Sequence, residues 1–151
     1  RQMCIRDRDR SIAAGHFIVP TAAYRDEGTS YHYAPASDYI DIPTAAELSA
    51  AFDAISMPHV QGKTWTTDAI YRETRDGLAK RRAEGCITVE MECASLMAVG
   101  QFRKKAVYQF LYAEDCLDSV EWDPRIMGKQ PATAYEGYLD VALECAIRVK
   151  G

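Results

Sequence analysis

A segment that changes from a strand pattern to a helix pattern, GCITVEMECASLMAVG at residues 85–100, most constrains what this chain can fold into. Residues 86–89 are apolar or β-branched, as in a buried strand, and the second half of the segment is typical of an apolar helix. Glu90 and Glu92 lie where the two patterns meet. Because burying a charge in an apolar segment is costly, we expect these carboxylates to hold a ligand. The alternative is that both are surface acids at a helix amino end, where the helix dipole favours them.

Strand and helix patterns alternate along most of the chain. This alternation predicts an α/β fold, a three-layer αβα sandwich with a mixed central sheet. Ligands of such sheets bind beyond the carboxyl ends of the strands, so the residues that follow each strand are the candidates for a site. Thr44 and Glu47 have the spacing of a capping box at a helix start. Besides the segment above, strands are predicted at 16–23, 59–71 and 105–115, and helices at 41–55, 72–84 and 132–150.

Composition and charge narrow the class of protein. The 151 residues suffice for one domain with its own core, and the net charge of −4 is spread along the chain. A protein that binds nucleic acid or a membrane surface is expected to have a basic face. The mixture of acidic and basic residues along this chain therefore argues against both classes. No run approaches the roughly 18 apolar residues of a membrane-spanning helix. The five cysteines form no C-x-x-C pair, which favours reduced thiols and a cytoplasmic protein.

Several common site motifs are absent from the sequence. It has no Gly-rich phosphate loop, no dinucleotide fingerprint and no G-x-S-x-G elbow. Its three histidines lack the spacing of a metal site, so we predict no metal. Carboxylates, hydroxyls and aromatic rings instead follow the predicted strands. Carboxylates accept strong hydrogen bonds from hydroxyl groups, and this combination favours a sugar-containing ligand.

Four segments resemble parts of the nucleoside phosphorylase family, in the family's order. They are VPTAAYRDEGTSYHYAP (19–35), GKTWTTDAIY (62–71), TVEMECASL (88–96) and FLYAED (110–115). The resemblance implies a phosphorylase/hydrolase-like fold and reversible phosphorolysis of a ribonucleoside to the free base and ribose 1-phosphate. It further implies inorganic phosphate as co-substrate, no metal or organic cofactor, a role in nucleoside salvage, and a homo-oligomer.

The resemblance also implies roles for single residues. Met91 would pack under the ribose, Glu92 would accept its 2′- and 3′-hydroxyls, and Glu90 would shape the site. Asp115 matches the acid that protonates the departing base in purine-specific members, and Arg125 is a candidate for its basic partner.

The base pocket is predicted on the segment 62–71. Ile70 lies where many relatives carry a Phe that stacks on the base, and Thr66 and Trp65 are its neighbours on the strand. Trp65 has an alternative interpretation as a core residue. Three other activities stay open: uridine phosphorylase, a nucleosidase that uses water in place of phosphate, and a non-catalytic nucleoside-binding protein.

Two stretches stand apart from these assignments. Residues 24–35 are predicted as a loop that edges the pocket, reaches a neighbouring subunit or is plain surface. Residues 1–10, RQMCIRDRDR, have no hydrophobic period and are expected to be non-native or disordered. Residues 11–151 are then expected to be the C-terminal part of one nucleoside phosphorylase domain. The phosphate-binding glycine loop and Arg of the family would lie upstream.

Overall fold

A computed structural model of the chain describes residues 3–4, 15–116, 124 and 126–149. The expectation for residues 1–10 therefore falls almost wholly outside the described residues. The strands are β1 Met3–Cys4, β2 Phe17–Asp26, β3 Tyr39–Asp41, β4 His59–Thr67, β5 Cys86–Glu90, β6 Leu111–Tyr112 and β7 Asp115–Cys116. The helices are α1 Ala45–Ala54, α2 Arg75–Ala83, α3 Cys93–Phe102 and α4 Ala132–Arg148, with 3₁₀ turns at Thr29–His32 and Ile70–Arg72.

The strands form one mixed sheet, as predicted. Its order is β3-β2-β4-β5-β1-β7, and β6 pairs with β2 off this path. Strands β2, β4 and β5 are parallel neighbours, whereas β3 and β6 run antiparallel to β2. In register, Thr66 pairs with both Arg25 and Glu90. The carboxyl ends of the three parallel strands therefore meet at one edge of the sheet.

Helices cover both faces of this sheet, which gives the predicted three layers. On one face, apolar residues of α1, α3 and α4 pack with alternate residues of β2 around the fully buried Phe52. Phe17 contacts the Phe52 ring edge-on at a centroid distance of 5.4 Å. On the other face, Leu78 of α2 packs against Trp65 and Val89. This alternation follows from the two-residue period of strands, which sends successive side chains to opposite faces.

The prediction of a strand at 105–115 is only partly right. Strand pairing is limited to β6 and β7 because the preceding backbone groups bond elsewhere. The Lys105 N–H donates to the Gly100 carbonyl at 2.9 Å, and the Val107 carbonyl accepts from the Thr44 hydroxyl at 2.6 Å. A backbone N–H that already donates cannot donate to the ladder as well. Because β6 is antiparallel to β2, Tyr112 lies opposite Phe17 at the start of β2.

The amino end of α1 tests the predicted capping box. Thr44 precedes α1, but its hydroxyl bonds Val107 and makes no cap bond, and the Glu47 carboxylate accepts from the Tyr108 hydroxyl at 2.6 Å. The predicted capping box is therefore wrong, because both side chains tie α1 to the segment before β6. Helix α2 is capped by Thr74, which accepts from the Gly77 N–H at 3.2 Å.

Three strands also differ from the predictions, and β4 is one of them because it ends at Thr67 and not at residue 71. Strand β2 extends to Asp26, so the first part of the predicted loop 24–35 is strand. The short strand β3 was not predicted at all. It pairs antiparallel with the end of β2, with Ile40 opposite Ala23. Three residues are too few for a period-2 pattern to stand out in the sequence.

Candidate active site

The carboxyl ends of β2, β4 and β5 bring acids and hydroxyls together at one edge of the sheet. Asp26 ends β2, Thr67 ends β4 and Glu90 ends β5. This is the place where ligands bind in open α/β sheets. Met91 and Glu92 follow directly on Glu90 and lead into α3. The strand-to-helix segment 85–100 therefore passes the edge of the sheet where the sequence predicts a ligand to bind.

The carboxylate of Glu90 is buried and fully used within the chain. Glu90 as a whole is 2% exposed. Oε1 accepts from the Thr66 hydroxyl at 2.5 Å and from the Thr64 hydroxyl at 3.3 Å. Oε2 accepts from the backbone N–H groups of Glu92 at 2.8 Å and Cys93 at 2.6 Å. These two N–H groups lie at the amino end of α3, where the helix has no carbonyl partner for them.

Opposing effects act on the ionisation of Glu90. Burial raises the pKa of its carboxyl above the ordinary value, because the charged form loses its hydration. The hydrogen bonds from Thr66 and from the two backbone N–H groups work in the other direction, and the nearby charge of Glu92 adds to the increase. The net effect is a raised pKa. The folded chain therefore holds the proton of the Glu90 carboxyl more tightly than an exposed Glu carboxyl would be held.

Met91 and Glu92 differ from Glu90 in that both face solvent. Met91 is 38% exposed, and Glu92 is also exposed. Glu92 occupies the N-cap position of α3, yet its side chain makes no cap hydrogen bond. Within the part of the chain that the structure describes, its carboxylate forms no hydrogen bond or ion pair. The carboxylate oxygens are thus available to accept hydrogen bonds from hydroxyl groups of a ligand.

The predicted base-pocket residues lie at different depths. Thr66 is fully buried, and besides donating to Glu90 its hydroxyl accepts from the Ala94 N–H at 3.0 Å. Trp65 is 4% exposed, and its indole N–H donates to the Asp26 carboxylate at 3.0 Å. These contacts agree with the alternative interpretation of Trp65 as a core residue. Ile70 is partly exposed and packs on the same small cluster as Trp65.

Asp115 is a buried carboxylate that opens β7, with no exposed surface. Its backbone pairs with Met3, which also pairs with Val89 of β5. Two strand spacings, about 10 Å, therefore separate the backbones of Asp115 and Val89. Residues paired in register share a face, so Asp115 lies on the face of Val89 and not on that of Glu90. Arg125, its predicted partner, lies outside the described residues.

Arg25 was predicted to lie on a loop at the edge of the pocket, but the structure places it near the end of β2 with a buried side chain. It is 3% exposed, although residues 24–35 were predicted as a loop. Its guanidinium donates to the Ser30 hydroxyl at 2.8 Å and to the Pro35 carbonyl at 2.6 Å, and lies 4.2 Å from the centre of the Tyr31 ring. These bonds fold the loop after β2 back on itself. The only sequence signal was a charged residue beside the apolar run of β2.

Three further features of the described residues concern metal-binding groups, cysteines and membrane-spanning helices. No three of their His, Cys, Asp or Glu side chains come together as a metal site would require. Cys86, Cys93 and Cys145 are buried free thiols, as predicted. Burial raises the pKa of the Cys93 thiol well above its ordinary value, which leaves it unreactive. None of the helices in these residues is long and apolar enough to cross a membrane.

A comparison with known protein families identifies the superfamily of this chain. A sequence profile of the phosphorylase superfamily matches residues 9–133. The chain therefore belongs to the phosphorylase superfamily, which contains nucleoside phosphorylases and nucleosidases. This confirms the family that the four sequence segments indicated. An uncharacterized protein of Acanthamoeba polyphaga mimivirus is 25% identical over 113 residues, which are 73% of this chain and 42% of that protein.

Solved structures of the superfamily share the fold at low identity. Purine nucleoside phosphorylase of Toxoplasma gondii, in complex with immucillin-H, has a TM-score of 0.75 at 17% identity over 95% of this chain. The P. knowlesi homologue of P. falciparum PNP gives 0.72 at 17% identity over 95%. AMP nucleosidase of Bacteroides thetaiotaomicron gives 0.68 at 22% identity over 91%. The chain spans 59%, 57% and 54% of these three chains, respectively.

Proposed function

We propose that this chain carries the ribose and base side of a nucleoside phosphorylase site. The observation that supports it most is the state of Glu92. It is an exposed carboxylate without a side-chain bond in the described residues, held at the carboxyl edge of three parallel strands beside the exposed Met91. A carboxylate in this state suits vicinal hydroxyls, because it accepts two charge-assisted hydrogen bonds at once. Met91 then packs under the sugar ring.

The proposed reaction is phosphorolysis of a ribonucleoside, with a purine as the preferred base. Cleavage of the glycosidic bond leaves an oxocarbenium-like sugar, which phosphate attacks, while the departing base gathers negative charge. A positioned acid that protonates the base contributes roughly 10²–10⁴ in rate. Asp115 is proposed as this acid, and its complete burial supports a role other than a surface charge. Phosphate is the second substrate, and the protein works as a cytoplasmic homo-oligomer.

Hydrolysis is the second candidate, favoured by the likeness to AMP nucleosidase of Bacteroides thetaiotaomicron. In that case water replaces phosphate as the nucleophile, and the roles of Glu92 and Asp115 are unchanged. The two reactions differ in one requirement that an assay can control. A phosphorylase needs inorganic phosphate to release base, whereas a nucleosidase releases base without it.

The test offers inosine, adenosine and uridine to the full-length protein, with and without phosphate, and follows free base by chromatography. We expect purine release that depends on phosphate. Glu92→Gln is expected to weaken ribonucleoside binding about 30-fold, roughly 2 kcal/mol, because it removes charge-assisted bonds. Glu136→Gln, an exposed acid on α4, is the matched control and should behave as wild type. Release without phosphate would establish the nucleosidase instead, and binding of no nucleoside would contradict both.

A further inference from the structure

The Thr66 hydroxyl has no proton left to donate to a ligand. It donates to Glu90 Oε1 at 2.5 Å and accepts from the Ala94 N–H at 3.0 Å, and the residue is fully buried. A hydroxyl has one proton to donate, and that proton is used. The prediction that Thr66 contacts the base therefore competes with two bonds that Thr66 already makes inside the chain.

These two bonds join the end of β4 to the beginning of α3. Through Glu90, the Thr66 hydroxyl is linked to the backbone N–H groups of Glu92 and Cys93. Through its own oxygen, it holds the next N–H, that of Ala94. Three successive N–H groups of the first turn, at Glu92, Cys93 and Ala94, are thus bound by side chains of neighbouring strands. We call Thr66, Glu90 and these three N–H groups the brace.

The brace explains why the Glu92 side chain is available. The N-cap side chain of a helix usually accepts a hydrogen bond from the first turn. Here Glu92 is the N-cap residue, but Thr66 already binds the Ala94 N–H, one of the two N–H groups that an N-cap side chain usually binds. The Glu92 carboxylate is exposed and makes no cap hydrogen bond, and the Glu92 backbone is fixed by the bond from its own N–H to Glu90.

We propose that Thr66 is a positioning residue of the ribose site. It acts through Glu90 and the Ala94 N–H, which hold the amino end of α3 so that Glu92 meets the ribose hydroxyls. This inference rests on the proposed function in its choice of ligand, and it moves Thr66 from the base pocket to the support of the sugar site. Thr66 differs in this from Glu92, which would touch the substrate.

The test compares two ligands that differ only in the hydroxyls that Glu92 would bind. Dissociation constants are measured for inosine and 2′,3′-dideoxyinosine with wild type, Thr66→Val, Thr66→Ser and Thr88→Val. Thr88 is the matched control, a buried threonine of β5 whose hydroxyl bonds Thr64 and not Glu90. Thr66→Val should reduce the preference for inosine about tenfold, the effect of losing one buried hydrogen bond. Thr66→Ser, which keeps the hydroxyl, and Thr88→Val should keep the preference.

Amide hydrogen exchange at Glu92, Cys93 and Ala94 tests the brace without any ligand. We expect faster exchange in Thr66→Val than in Thr66→Ser or Thr88→Val. If Thr66→Val does not fold, Thr66→Cys takes its place, because a thiol is a weaker hydrogen-bonding group than a hydroxyl.

Three results would overturn the proposal. Unchanged exchange in Thr66→Val would remove the brace. An equal loss of affinity for both nucleosides would indicate a base contact, and an equal effect of Thr88→Val would indicate a general loss of packing. If wild type binds neither nucleoside, the proposed function fails, and the exchange rates alone decide whether the brace exists.

Discussion

Glu90 and Glu92 are two residues apart, yet the chain treats their carboxylates in opposite ways. Glu90 is 2% exposed and its carboxylate accepts from four donors of the chain, whereas Glu92 is exposed and its carboxylate accepts none from the described residues. The difference arises because Glu90 still belongs to the pleat of β5, which directs its side chain onto the face covered by α3. Glu92 lies past the end of the strand. A short acidic motif thus combines a buried carboxylate that binds the amino end of α3 with an exposed carboxylate that makes no cap hydrogen bond.

Asp115 does not fit the simple contrast between a buried structural carboxylate and an exposed ligand-binding one. It is buried as Glu90 is, but it is proposed to act on the substrate. We expect Asp115→Asn to lower kcat about 100-fold or more while the nucleoside dissociation constant changes little, because an amide cannot supply the proton in the transition state. Single-turnover kinetics and equilibrium binding measure the two quantities.

The neighbouring acid serves as the control for this change. Glu114→Gln alters the adjacent carboxylate, which is also largely buried, and should leave kcat within a few-fold of wild type. Equal losses of kcat and affinity in Asp115→Asn would contradict the assignment. Asp115 would then join Glu90 as a carboxylate that maintains the structure.

Stability measurements should separate Glu90 from Glu92 directly. Glu90→Ala leaves two hydroxyls and two backbone N–H groups without their acceptor, and we expect the free energy of unfolding to fall by about 3 kcal/mol. Glu92→Ala removes an exposed side chain and should leave the free energy of unfolding close to that of wild type. Urea denaturation of both variants gives the comparison.

A reversal of that order would break the division of roles. If Glu92→Ala destabilised the chain as much as Glu90→Ala, the Glu92 carboxylate would have to be bonded within the protein. It would then be a poor candidate for the ribose.

The sequence predicted the strand and helix of the segment 85–100 more reliably than the contacts around them. The strand-to-helix change at residues 85–100 is long and strongly patterned, and the structure places β5 and α3 there. The pattern could not show that Thr66 and Glu90 meet, because that contact depends on the pairing of β4 with β5. The same holds for Arg25, whose partners lie five to ten residues away in an irregular loop.

Predictions from local sequence patterns were wrong where the residues form contacts with distant parts of the chain. Thr44 and Glu47 have capping-box spacing, but Val107 and Tyr108, some 60 residues later, take their side chains. The apolar run at 105–115 predicts one strand. Its first part does not pair in the sheet and instead forms hydrogen bonds with Gly100 and Thr44. In each case a tertiary bond of similar strength competes with the local one, and only the folded chain decides between them.

The smallest predicted effect is a pH dependence that the Glu90 carboxyl alone should produce. Burial raises its pKa in the folded chain above the value in the unfolded chain, so the folded state binds the proton more tightly. The resulting stabilisation is complete below the unfolded pKa and is lost as the pH rises through the folded pKa. Glu90→Gln cannot titrate. The free energy of unfolding of wild type, minus that of Glu90→Gln, should therefore fall as the pH rises from about 4 to about 7.

Urea denaturation of both proteins across this range measures the difference, and the slope matters rather than the offset, since glutamine also changes the hydrogen bonds. Glu92→Gln is the control, because the Glu92 charge contributes to the raised pKa of Glu90. In that background the fall should persist with a smaller amplitude. A difference that instead grows with pH would mean that the Thr66 hydroxyl and the two N–H groups outweigh burial. Glu90 would then be held in the folded chain as a stabilised anion at the helix amino end, and its contrast with Glu92 would lie in its bonds and not in its charge.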